Sequence, residues 1–135
     1  MKFYIIFLND KNIPDNQKKW WNKFLNINYK HCFIIQVFNL FDGKEIFVVL
    51  ENLYNSINIE ISCIDIEDLP SLVDNLTCIV EYNILINPYK KQNIEPITCV
   101  TIIKKLIGLK NIFIQTPLQL KKYLIRNGGK IIWEQ

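Results

Sequence analysis

Two residues of this 135-residue chain carry the types and settings that chemistry needs: His31, its single histidine, and Cys99. Val100, Ile103, Leu106 and Ile107 follow Cys99 at helical spacing, so residues 98–107 read as a helix with Thr98 as N-cap. Cys99 then lies in the first turn, where the free backbone N–H groups carry partial positive charge and favour a thiolate over a thiol. His31 opens residues 31–38, an apolar run that reads as a strand and gives an imidazole a rigid seat. A thiolate with an imidazole base is the attacking unit of a cysteine hydrolase. The reaction expected of such a pair is acyl transfer through a thioester on Cys99, with His31 as base.

A base of this kind is oriented by a third group. Residues 45–51 form the return strand after a hairpin turn over 39–44 that contains Asp42-Gly43. Antiparallel return brings the far end of that strand, Glu51 and Asn52, towards His31. The two point to opposite faces of a regular strand, so one of them can serve, and Glu51 is favoured over Asn52. Cys32 points away from His31 by the same alternation and reads as core. Gln36 reads as a satisfied polar side chain within the sheet, and Lys104 as a solvated helix position.

Further elements must hold these groups. Residues 3–8, 57–64 and 77–86 have strand character, and residues 15–25 read as a short helix. In that helix Trp20, Trp21, Phe24 and Leu25 form either a packing face or the aromatic wall of a cleft. Asn87 to Pro96 is a polar loop. Thr116 caps a second late helix with Pro117 at its first position, and Gly128-Gly129 ends it. Ile131-Ile132-Trp133 reads as a terminal apolar tag. The expected fold class is α+β: an antiparallel sheet of about five strands with helices packed on it, as a single domain over residues 1–135.

The order His, carboxylate, Cys along the chain is carried by Tyr29-Lys30-His31-Cys32 and by Phe47-Val48-Val49-Leu50-Glu51. It continues in Thr98-Cys99-Val100 with Lys104, Leu106 and Gly108, then Thr116-Pro117 with Leu120 and Leu124. Over residues 29–124 this resembles circularly permuted papain-like cysteine hydrolases of the NlpC/P60-like kind, in small phage and bacterial proteins. The resemblance implies a Cys–His pair across a cleft, with Cys99 as nucleophile, His31 as base and Glu51 as the third polar group. It implies a peptide, amide or ester substrate and no cofactor. Thr98 and Val100 stand where the acyltransferase branch has Asn and Glu beside its cysteine, which argues against lipid acyl transfer.

Bulk properties set the limits. Half of the residues are hydrophobic and 13% aromatic, enough for a packed core. A formal charge of +3, with lysine doublets at 18–19, 90–91, 104–105 and 121–122 that read as solvated faces, argues against a nucleic-acid partner. No apolar run approaches the roughly 18 residues of a membrane span, and the N-terminal run is too short for a signal peptide, so the expected location is cytoplasmic. The four cysteines lack metal-site spacing, and three of them lie in strand-like runs that read as buried. The rival to an enzyme is a non-catalytic binding or assembly module on the same fold, associated with a phage particle.

Overall fold

The computed structural model describes residues 1–9, 26, 28–53, 56–63, 65–84 and 98–135. The expected helix over 15–25, the loop from Asn87 to Pro96 and the lysine doublets 18–19 and 90–91 lie outside these residues.

Six strands form one antiparallel sheet: β1 (Lys2–Leu8), β2 (His31–Asn39), β3 (Glu45–Leu53), β4 (Ser56–Ser62), β5 (Leu76–Asn83) and β6 (Lys130–Glu134). Their order across the sheet is β4-β3-β2-β1-β5-β6. A 3-10 turn (Ile66–Asp68) runs into α1 (Leu69–Leu72), and two longer helices follow, α2 (Cys99–Leu106) and α3 (Pro117–Arg126). The class is α+β, as the sequence implied, but the sheet has six strands rather than five. The additional strand is the supposed apolar tag. Trp133 lies opposite Ile79, and Ile131 opposite Val80, so the chain end closes the sheet beyond β5.

β1 is central and apolar along its length because both of its faces are covered. Phe3, Ile5 and Phe7 join Cys32, Ile34, Cys78 and Val80 beneath α2 and α3, against Val100, Ile103, Leu120 and Leu124. Tyr4 and Ile6 face the other way, with Phe33, Ile35, Phe47, Ile79 and Leu69 of α1. The hairpin between β2 and β3 closes as expected. Gly43 adopts φ +83°, a region that glycine enters without steric cost, and Leu40 N–H donates to Lys44 O at 2.7 Å.

Two lysines depart from the expected solvated faces. Lys104 of α2 is buried, and its Nζ donates to Ile114 O at 3.1 Å, fastening α2 to the segment before α3. Lys121 of α3 is buried against Tyr29 and Glu134. Cys63 departs in the other direction. It sits just past β4 and is exposed, whereas Cys32 and Cys78 are buried. Among the described residues, no helix is long and apolar enough to cross a membrane.

Candidate active site

Thr98 shapes the start of α2. Its Oγ1 accepts from Thr101 N–H at 3.1 Å, which caps the helix and sets Cys99 at the first helical position. On the sheet, β2 begins at His31, which pairs with Leu8 of β1, but its ladder with β3 begins only at Ile34 opposite Leu50. At this end of the sheet no β2–β3 ladder runs between the His31 and Glu51 backbones. Their side chains bridge the gap: His31 Nε2 lies 3.0 Å from Glu51 Oε1. The carboxylate that meets the ring is therefore Glu51, the residue favoured from strand parity over Asn52.

His31 also hydrogen-bonds Cys99. The three residues picked out from the sequence therefore meet, although His31 and Cys99 are separated by sixty-eight positions. Cys99 is half-buried.

The electrostatics favour a separated charge pair. Burial opposes a charged His31 ring, but hydrogen bonds to Cys99 and Glu51, with the charges of both, raise its pKa to about 10. Cys99 moves the other way, well below the usual thiol value. The Cys32 thiol that donates to it is the largest cause; burial opposes, and the His31 hydrogen bond and charge, then the Cys32 backbone N–H, complete the shift. Both shifts favour the thiolate–imidazolium form of the pair, the state in which a cysteine attacks carbonyl carbon.

Cys32 is the site residue that the sequence reading left in the core. It is indeed fully buried beneath α2, but it also contacts Cys99 through both its thiol and its backbone N–H. Burial, and then the neighbouring Cys99, push its own pKa well up, so it remains a thiol and a donor. The signal available in the sequence was its place beside His31 together with a strand parity that points it at the helix layer. Gln36 is buried within β2, as expected for a satisfied sheet side chain.

A polar cluster anchors the segment that enters β2. Lys121 Nζ donates to Tyr29 Oη at 2.6 Å and to Glu134 Oε1, and Tyr29 Oη donates to Glu134 at 3.1 Å. The Tyr29 ring stands edge-on to Phe7, with centroids 6.1 Å apart. Phe7 lies between Cys32 and Cys78 in the cross-strand row, so Tyr29 is fixed from α3, β6 and β1 two residues ahead of His31.

A groove lined by Phe47, Trp133, Tyr4 and the carboxylates of Glu45, Glu67 and Glu81 lies on the opposite sheet face from α2. Among the described residues, no group of three or more His, Cys, Asp or Glu side chains is arranged to hold a metal ion. Set against known proteins, the chain matches no family model, no curated protein and no solved structure.

Proposed function

We propose that this protein is a thiol hydrolase of amidase or peptidase type, built as a circularly permuted papain-like fold. The observation that carries the reading is the contact of His31 with both Cys99 and Glu51 at the start of α2. A binding module has no need of a thiolate held beside an imidazolium in a half-buried setting.

The steps follow from the pair. The Cys99 thiolate attacks the carbonyl carbon of an amide, peptide or ester, and the carbonyl electrons move onto oxygen. The Cys99 backbone N–H, at the positive end of α2, supplies one donor to that oxyanion. The intermediate collapses, the bond to the amine or alkoxide breaks, and the leaving group takes its proton from the His31 imidazolium. The acyl group is now a thioester on Cys99. Neutral His31 takes a proton from water as the water attacks, the carboxylic acid leaves, and the thiolate–imidazolium pair is restored. Glu51 holds the ring in register throughout and stabilises its charged form.

The test is an acyl adduct. The chain is incubated with p-nitrophenyl acetate and examined by intact mass and peptide mapping. An acetyl group on Cys99 that turns over in wild type, is absent in Cys99→Ala and forms but persists in His31→Ala supports the reading. Equal labelling of Cys99→Ala sinks it.

A further inference from the structure

The proposed mechanism has no step for Cys32, yet the fold buries this second thiol in the cluster on which Cys99 packs. We infer that Cys32 is a resolving thiol: a hydroperoxide converts the Cys32–Cys99 contact into an intramolecular disulfide that withdraws the nucleophile until an external thiol reopens it. The inference needs a reactive Cys99 but does not depend on acyl transfer.

Geometry singles out this pair among the described cysteines. Cys99 packs against the core cluster that holds Cys32, where α2 lies on β2, and Cys32 is the foremost electrostatic neighbour of its sulfur. Cys78 shares a cross-strand row with Cys32, but Phe7 of β1 stands between them. Two strand spacings are about 9.5 Å, beyond the roughly 7 Å Cα separation that a disulfide spans. Cys63 lies past β4, with β3 between that strand and β2. The roles also divide by exposure. Cys99 is half-buried and open to a small oxidant, whereas Cys32 is sealed in the core and meets no oxidant except through Cys99.

The steps balance. The Cys99 thiolate attacks the outer oxygen of the hydroperoxide, an S–O bond forms, the O–O bond breaks, and the departing oxygen is protonated from the His31 imidazolium. Cys99 is oxidised to the sulfenic acid, and the peroxide is reduced to alcohol or water. The Cys32 sulfur then attacks the sulfenic sulfur. The S–S bond forms, the S–O bond breaks, and the hydroxyl leaves as water with the proton that Cys32 gives up. Two molecules of an external thiol reverse the disulfide by exchange and are themselves joined as a disulfide.

The experiment oxidises the reduced full chain with hydrogen peroxide, blocks remaining thiols with N-ethylmaleimide and maps peptides without reduction. The expected product is a Cys32–Cys99 linked peptide that grows as free Cys99 is lost and disappears with dithiothreitol. In Cys32→Ala and Cys32→Ser, each checked for folding by circular dichroism, the link is absent and Cys99 is trapped by dimedone or proceeds to the sulfinic acid. Three wild-type results overturn the inference whatever the variants do: sulfinic acid at Cys99 without a link, a link through Cys63 or Cys78, or a Cys99 that resists peroxide. Loss of the acyl adduct on p-nitrophenyl acetate, by contrast, leaves this result untouched and bears only on the hydrolase reading.

Discussion

His31 Nε2 lies 3.0 Å from Glu51 Oε1, although each residue sits just outside the β2–β3 ladder. That one contact joins the start of β2 to the far part of β3 and ties the imidazole beside Cys99 to a carboxylate. The site thus lies where the β2–β3 ladder stops, at Ile34 opposite Leu50.

Thiol reactivity should follow the charge pair. In a Cys63→Ser background, which removes the exposed competitor, iodoacetamide should modify Cys99 rapidly at pH values well below the ordinary free-thiol range. His31→Ala should lower that rate by on the order of tenfold or more. A wild-type rate that rises only through the ordinary thiol range contradicts the assignment.

Glu51→Gln keeps a hydrogen-bond acceptor at the ring but removes its charge. The imidazolium is then less favoured, and so is the thiolate it supports. The acid limb of the alkylation profile should move up by roughly one pH unit, since a hydrogen bond between charged groups is worth about 1.5–3 kcal/mol and a pKa unit about 1.4. An unmoved profile means that the Glu51 charge does not support the imidazolium.

Much of this arrangement was legible in the residues themselves. Thr98 before an apolar helical repeat located the Cys99 thiol at a helix start, and a hairpin turn at Asp42-Gly43 returned Glu51 towards His31. What escaped is what single-strand patterns do not encode. Cys32 was correctly placed in the core by parity, but its contact with Cys99 depends on how α2 lies across β2. Lys104 and Lys121 looked solvated because their acceptors, Ile114 O and Glu134, belong to other elements. The tag Ile131-Ile132-Trp133 became β6 because β5 offered an unpaired edge, a fact about the sheet and not about those three residues.

Stability should report the same pair through its pH dependence. His31 is raised from 6.5 to about 10, so its contribution is complete below 6.5 and is lost as pH rises towards 10. Cys99 is lowered from 9.0, so its contribution is complete above 9.0 and is lost as pH falls through its folded value. Between 6.5 and 9.0 the two slopes have opposite sign and offset each other. Urea midpoints of wild type minus Cys99→Ser should therefore be level across that window and decline on either side of it. A difference that climbs steadily through the window is the contrary result.

The buried lysine of α3 offers a structural prediction away from the site. Glu134→Gln leaves Lys121, whose side chain is only 9% exposed, without its counter-charge and should cost about 1–2 kcal/mol. Lys121→Met removes the charge, keeps the packed stem and leaves Tyr29 Oη on Glu134, so it should cost about 1 kcal/mol or less. Urea unfolding of both variants decides the order, and a larger loss for Lys121→Met reverses the interpretation.

The most direct measurement is an NMR titration of the His31 ring, unambiguous because the chain has one histidine. The ring should hold its proton up to about pH 10 in wild type. In Cys99→Ser, without a thiolate to pair with, it should titrate well below that. A wild-type ring that titrates near 6.5, unchanged by the substitution, would contradict the thiolate–imidazolium pair on which the account rests.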